Sequence, residues 1–427
     1  MNLSSFAPER LSTPSKLFLV GAIFNGIGNG VFNVVIQLYL SSIGFGGASL
    51  GSIFMMNALS AAILTIPMGV LADRIGMKKM MLLGLSTILA SVSIIMLSTR
   101  IEMLMLAFLL VGIGNAAAVV FSPLYSSFFD KDDMDKAFGL WGSLNILTMS
   151  LGSLLGFVPP YLVDSFGLSF REAYWAFLAF GSVFFVSQYF FYIMSTRGLD
   201  EAPKKERLSF NISSRGFVVK FSLIALVSSA AFGVFFGLFP YYVNQKYGIQ
   251  SDALGTLFFA SNLVSAAAQA IAPRVSKRFG ALTTIAMTIG LAAPFYLLIP
   301  LAPSFTVLSV LYMMRLSFAA MAQPLMSSTF MKNLHDDEKS TANSIRMMSM
   351  QGGSVVGPWL GGQLMDNVSM ELPAFLGGGL YVALALLTLF MFRNTGEIGM
   401  KALQIGGADL KSKLEDVPNP LPVDDST

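Results

Sequence analysis

The sequence predicts an all-α membrane protein, with twelve transmembrane helices arranged as two six-helix bundles and both termini in the cytoplasm. Three observations predict this fold: the composition, twelve long apolar runs and an internal repeat. Apolar residues make up 54% of the 427 residues, and charged residues only 12%. So little charge cannot cover a soluble protein of 46.0 kDa with a mean hydropathy of +0.68, whereas lipid accepts an apolar surface.

Each apolar run is long enough to form a helix that crosses a bilayer. Such a helix needs about 20 apolar residues, because each residue adds about 1.5 Å across a hydrocarbon layer about 30 Å thick. The runs lie at 17–40, 48–71, 79–98, 102–124, 137–161, 173–194, 217–243, 253–273, 281–301, 305–330, 341–364 and 372–392. The first run lacks the small-residue cleavage site of a secretory signal, so we expect it to remain as a signal anchor. The sequence therefore predicts an integral, multi-pass protein of the plasma or inner cell membrane.

The distribution of Lys and Arg predicts the orientation. If the N-terminus is inside, only Arg100, Arg171 and Lys246 of the 27 basic residues lie in outer connections, and only Arg315 lies within a span. Cytoplasmic connections are enriched in basic residues, so both termini are predicted to be cytoplasmic. The net charge of +3 is then a sum over two membrane faces and indicates no nucleic-acid partner.

An internal repeat divides the chain. The segments that recur in order about 200 residues later are Gly44, Leu50-Gly51, Arg74-x-Gly76, Pro123-Leu124-x-Ser126-Ser127 and Gly152-Ser153-x-x-Gly156. The predicted parts are a cytoplasmic tail at 1–16, a six-helix bundle at 17–194, a charged linker at 195–216, a second bundle at 217–392 and a largely disordered cytoplasmic tail at 393–427. Two such bundles of like orientation can rock about a site between them.

The connection after the second run carries the most specific motif, Gly69-Val70-Leu71-Ala72-Asp73-Arg74-Ile75-Gly76-Met77-Lys78-Lys79. This segment resembles the loop motif of the major facilitator superfamily, in the place between helices two and three where that family carries it. The resemblance covers about residues 17–392 and implies a transporter that works by alternating access. The second copy keeps Arg278 and Gly280 but has Lys277 where the aspartate would fall.

The motif predicts a conformational gate. Asp73 lies at the cytoplasmic end of a helix, where its carboxylate can meet helix N-termini or basic groups of the other bundle until the inner gate opens. Glycines allow close approach and a tight turn, and basic residues face anionic headgroups. The predicted gate residues are Gly69, Asp73, Arg74, Gly76, Lys78, Lys79, Arg278 and Gly280. The alternative is a basic turn that serves topology alone.

Polar residues within the spans predict a substrate cavity. The amides of Asn25, Asn29, Asn33 and Gln37 recur every fourth residue and form a stripe on one face of the first helix. Arg315 lies about 15 Å deep, where a charge in lipid is costly, so it should face the interior. The predicted cavity residues are Asn25, Asn29, Asn33, Gln37, Asn115, Asn145, Arg315 and Gln351. The alternative is bonding between helices without a ligand.

Together these features predict a secondary active or facilitative transporter of a small organic solute, which moves by alternating access around a midplane cavity. An anionic or amphiphilic solute is favoured, because Arg315 can bind a negative or carbonyl-bearing group. One alternative is a multidrug or metabolite efflux antiporter of the same superfamily, although the glycine-proline motif of such antiporters, expected in helix five, falls here at Gly353 to Gly362 in helix eleven. A remote alternative is a non-transporting receptor.

The sequence lacks the side chains that an enzyme within the membrane would need. It has no cysteine, its single histidine lies in a connection, and the spans carry no central carboxylate. We therefore expect no enzymatic activity, no cofactor and no metal site. The expected partners of a monomeric protein are the small-molecule substrate, membrane lipid and a coupling proton or ion. Such an ion would bind at Asp73 or at a boundary acid such as Glu102.

Overall fold

A computed structural model describes residues 11–130, 133–197, 214–335 and 338–392. Most of the predicted tails and linker lie outside these ranges. The first half contains α1 (Thr13–Ser42), α2 (Gly47–Ile75), α3 (Met77–Leu97), α4 (Ile101–Ala117 continued by Phe121–Ser126), α5 (Met134–Leu154 continued by Val158–Phe166) and α6 (Phe170–Ser195). The second half contains α7 (Arg215–Phe236 continued by Phe239–Tyr247), α8 (Ser251–Phe279), α9 (Ala281–Leu298), α10 (Phe305–Lys332), α11 (Lys339–Asn367) and α12 (Leu372–Phe392).

Eleven helices in the described ranges are long and apolar enough to cross a membrane, and α11 is the exception. The all-helical membrane fold is therefore confirmed, and the count of twelve crossings stays a prediction. Helix α11 packs against α7 and α2, with Gly353, Gly357 and Gly361 against the α7 backbone. Because protein rather than lipid covers these faces, α11 needs fewer apolar side chains than the other helices.

The predicted repeat has a counterpart in the backbone. Helices α2 and α8 both contain 29 residues. Each ends at a glycine with positive φ, 94° at Gly76 and 84° at Gly280, and each follows another, Gly44 at 100° and Gly248 at 66°. Residues with a side chain rarely adopt such φ values. The recurring glycines are therefore the residues that the equivalent turns require.

The two halves are joined at one membrane face. The hydrogen bonds that link described residues of the two halves lie at the membrane face where α1 ends and where α2 and α8 begin. The bonded pairs are Gln37–Gly237, Gln37–Tyr241, Ser41–Gln245, Gly47–Asp366, Ala48–Asp366, Gly156–Ser251 and Tyr174–Gln250. We call this the closed face.

Helices α2 and α11 separate toward the opposite face. Gly51 lies against the carbonyl oxygen of Pro358, so closely that a Cβ at Gly51 would clash with it. Gly69 lies about five turns further along the same side of α2, and no atom of a described residue lies within 4 Å of the place where its Cβ would be. Asp73 and Arg74, near the end of α2, are exposed. We call this the open face, because the hydrogen bonds between described residues of the two halves all lie at the opposite face.

Candidate substrate cavity and gates

A cavity of about 540 Å³ lies among the six helices of the first half. Its volume is within the range of about 300–1,000 Å³ that small-molecule sites occupy. The lining includes seven side-chain amides: Asn25, Asn29, Asn33, Gln37, Asn57, Asn115 and Gln188. It also includes seven rings: Phe32, Phe54, Phe108, Phe121, Trp141, Phe185 and Tyr192. Of the residues that the structure describes, none that lines this cavity is charged.

The cavity brings together most of the residues predicted to form it. Five of them line it: Asn25, Asn29, Asn33, Gln37 and Asn115. The other three, Asn145, Arg315 and Gln351, do not line it. Sequence reasoning missed Asn57 and Gln188 because each is a single amide in an apolar run and belongs to no periodic pattern. The signal that could have found them is the cost of an unpaired amide in lipid.

Four of the lining amides form two bonded pairs, and these bonds use half of the side-chain polar atoms of the four. The Nδ2 atom of Asn29 donates to the carbonyl oxygen of Asn25 over 2.8 Å and to its Oδ1 over 2.9 Å. The Nδ2 atom of Asn115 donates to Oδ1 of Asn57 over 3.1 Å. Within the described part of the chain, Nδ2 of Asn25 and Asn57 and Oδ1 of Asn29 and Asn115 form no hydrogen bond. Each pair therefore keeps one donor group and one acceptor for a solute.

Gln37 seals the cavity toward the closed face. Its Nε2 donates to the carbonyl oxygen of Gly237 over 2.9 Å, and its Oε1 accepts the backbone N–H of Tyr241 over 3.2 Å. The residue is only 6% exposed. Both polar atoms of this amide are thus bound to the second half, so Gln37 closes the cavity instead of offering a free amide to the solute.

Asp366 forms a second contact between the halves at the closed face. Its Oδ1 accepts the backbone N–H of Gly47 over 2.9 Å, and its Oδ2 accepts that of Ala48 over 2.8 Å. The first N–H groups of a helix have no partner within it and carry positive partial charge. The carboxylate at the end of α11 therefore caps α2 of the other half. The sequence did not single out Asp366, because an acid at the end of a span looks like an ordinary connection residue.

The predicted gate residues lie at the open face. Asp73, Arg74 and Arg278 are exposed, and Asp73 forms no hydrogen bond or ion pair with a described residue. Gly76 and Gly280 provide the turns into α3 and α9. This arrangement is what an opened inner gate requires, and the gating role of these residues stays a prediction.

Arg315 lies in the interior of the second half and is 1% exposed. The guanidinium carbon lies 4.3 Å from the ring centroid of Phe236, 4.6 Å from Tyr381, 5.1 Å from Tyr296 and 5.5 Å from Phe232. The faces of aromatic rings attract a desolvated cation, so this cage stabilises the charge. Its Nε and Nη2 atoms have no hydrogen-bond partner in the described part of the chain. Burial agrees with the predicted interior position, but Arg315 does not line the cavity of the first half.

Most of the chain matches known protein sequences. The family model described as Major Facilitator Superfamily matches residues 18–224 and again 221–401. The quinolone resistance protein NorA of Staphylococcus aureus is 23% identical over 402 residues, 90% of this chain and 98% of that protein. Multidrug resistance protein 1 of Bacillus subtilis is 22% identical, over 84% of this chain and 91% of its own length.

Solved structures show the same fold. The nucleoside transporter NupG superposes with a TM-score of 0.68 at 14% identity, covering 89% of this chain and 99% of its own. The human organic anion transporter MFSD10 superposes with a TM-score of 0.58 at 16% identity, covering 88% of this chain and all of its own. At these identities the likeness concerns the fold and carries no information about the solute.

Proposed function

The chain belongs to the major facilitator superfamily, and on this premise we propose that it is a secondary transporter that moves a small organic solute by alternating access. The observation that carries the proposal is the amide-lined cavity, which Gln37 seals toward the closed face. Alternating access requires another state, in which the closed face is open. In that state the hydrogen bonds of Asp366, Gln37 and Ser251 to the other half would break, and Gly69 would approach α11. The solute would then leave or enter at the opposite membrane face.

We further propose that α11 crosses the membrane as the twelfth span of a cell-membrane protein and that the open face is cytoplasmic, with both termini. Three single-cysteine variants test this, because the chain has no cysteine of its own. A membrane-impermeant maleimide should label Thr99→Cys and Val368→Cys in intact cells and Asn333→Cys only in inverted vesicles. Labelling of Asn333→Cys and Val368→Cys from the same side would contradict the twelfth crossing.

Transport itself is tested with the full chain in liposomes. The probes are radiolabelled uracil, norfloxacin and benzoate, which are an uncharged, a zwitterionic and an anionic solute. We expect protein-dependent uptake of at least one probe. The variant Ala118→Trp should abolish that uptake, because Ala118 lines the cavity and the indole would fill it. Uptake that survives in Ala118→Trp, or no protein-dependent uptake of any probe, would contradict the proposal.

A second candidate is a negatively charged solute, as the sequence predicts. It is favoured by the two unpartnered nitrogen atoms of Arg315, and it requires the aromatic cage to open during transport. Under this candidate Arg315→Met lowers benzoate uptake at least about tenfold, as expected for a lost charge-assisted hydrogen bond, and the exposed control Arg274→Met does not. We expect equal benzoate uptake in the two variants, because none of the described residues that line the cavity is charged. Size-exclusion profiles check that both variants are folded.

Drug efflux is a candidate for the direction of transport. Two relatives that match most of this chain are named for quinolone and multidrug resistance. The seven rings of the cavity suit apolar aromatic compounds. In this case inverted vesicles should accumulate norfloxacin when a proton gradient is imposed, and collapse of the gradient should stop accumulation. Uptake that only equilibrates norfloxacin across the membrane, with or without the gradient, would favour a facilitator.

A further inference from the structure

Three buried polar atoms of the cavity have no hydrogen-bond partner among the residues that the structure describes. They are Oγ of Ser91, Nε1 of Trp141 and Oε1 of Gln188, and all three residues line the cavity. Ser91 is 0% and Gln188 2% exposed. A buried polar atom without a partner is costly, so such atoms are rare unless a ligand or water pairs with them. Three such atoms in one cavity can pair with the polar atoms of a ligand, or with water that a ligand would displace.

The free atoms of the cavity present donors and acceptors side by side. Trp141 offers an indole N–H, and the Asn25 and Asn57 amides each keep an N–H donor group. Gln188, Asn29 and Asn115 offer carbonyl oxygens. In each bonded pair the free donor and the free acceptor belong to two neighbouring amides, and together they can pair with the N–H and the carbonyl of one amide group. A charged solute would lose its hydration here without meeting an opposite charge.

Aromatic rings flank these amides. The rings of Phe54 and Phe108 have centroids 4.9 Å apart, and those of Phe121 and Tyr192 have centroids 5.2 Å apart. All four line the cavity. Ring faces and edges pack well against a flat solute, whereas a polar chain would leave them uncovered. The lining therefore favours a planar group with an amide edge.

We propose, resting on the transport function proposed above, that the cavity selects an uncharged cyclic amide. The solute is a flat ring in which an N–H donor stands next to a carbonyl acceptor. The Asn115–Asn57 and Asn29–Asn25 pairs bind its polar edge, Trp141 and Gln188 pair with its remaining polar atoms, and the phenylalanine rings cover its faces.

Matched solutes and variants test this proposal. Binding of uracil and 2-pyridone to the purified full chain in nanodiscs is compared with binding of 1,3-dimethyluracil and N-methyl-2-pyridone, which keep the ring and lack the N–H donor. We expect N-methylation to weaken binding at least about tenfold, because the side-chain oxygen of Asn115 then has no donor in the complex. The variant Asn115→Leu removes that oxygen and should weaken binding of the unmethylated rings by a similar factor. The control Asn333→Leu changes an exposed amide at the end of α10 and should leave binding unchanged.

Two outcomes would overturn the proposal: equal binding of the methylated and unmethylated rings, or no binding of either cyclic amide. Failure of this proposal differs from failure of the transport function. Uptake of norfloxacin or benzoate without binding of cyclic amides contradicts only the choice of solute. Binding of cyclic amides without uptake of any probe contradicts only transport.

Discussion

A Gly51→Leu variant should open the closed face and raise, at least about tenfold, the rate at which Ala118→Cys reacts with an impermeant maleimide from that face. The new side chain would run into the Pro358 carbonyl of α11. Overpacking of this kind costs about 1–3 kcal/mol, and about 1.4 kcal/mol changes a population tenfold. The clash is absent in the state in which the closed face is open, because the two halves are separated there. The sequence contains no cysteine, so the thiol at position 118 is the only one labelled.

The control for this experiment is Gly216→Leu. Gly216 is exposed at the start of α7, and a Cβ there would meet no atom of a described residue within 4 Å. Its labelling rate should equal that of Ala118→Cys alone. A folded Gly51→Leu protein with unchanged labelling would show that the contact between α2 and α11 does not hold the closed face shut.

Asp366→Ala should raise labelling from the closed face by a similar factor. The change removes both hydrogen bonds from the carboxylate to the start of α2, and a hydrogen bond to a charged group contributes about 1.5–3 kcal/mol. Asp366→Asn keeps an acceptor and should have an intermediate effect. The measurement is again the reaction rate of Ala118→Cys at the closed face.

Asp164→Ala is the matched control, because Asp164 is an exposed acid at the same face and forms no hydrogen bond with a described residue. If Asp366→Ala and Asp164→Ala label at the same rate, the carboxylate of Asp366 does not join the halves.

The two acids on the antiparallel helices α2 and α11 suggest how the faces alternate. Asp366, near the end of α11, binds the start of α2 at the closed face. Asp73, near the end of α2, is exposed at the open face. We expect Asp73 to approach the start of α11 when the open face closes, as the sequence motif predicts. Each face would then be held by a carboxylate against a helix N-terminus.

Sequence alone predicted those features that follow from spacing along one helix. The stripe that includes Asn25 and Asn29 faces one cavity because every fourth residue lies on one side of a helix. The glycines of the repeat mark equivalent turns for the same local reason. Burial of Arg315 followed from its depth in the membrane.

Features that depend on neighbouring helices could not be predicted in this way. The partners of Arg315 are rings from α7, α9 and α12, which no local pattern brings together. Gln37 belongs to the same stripe as Asn29, yet the second half binds both of its polar atoms. The hydropathy of α11 reflects its protein neighbours, so counting apolar residues does not decide whether it crosses the membrane.

The most direct test of alternating access compares Gly51→Leu with Gly69→Leu, two identical changes on the same side of α2. Leu at position 51 obstructs the closed face, whereas Leu at position 69 fits the present open space and obstructs closure of the open face. With Ala118→Cys as the reporter, the account predicts faster labelling from the closed face in Gly51→Leu and slower labelling there in Gly69→Leu. Changes of the same sign in the two folded variants would contradict it.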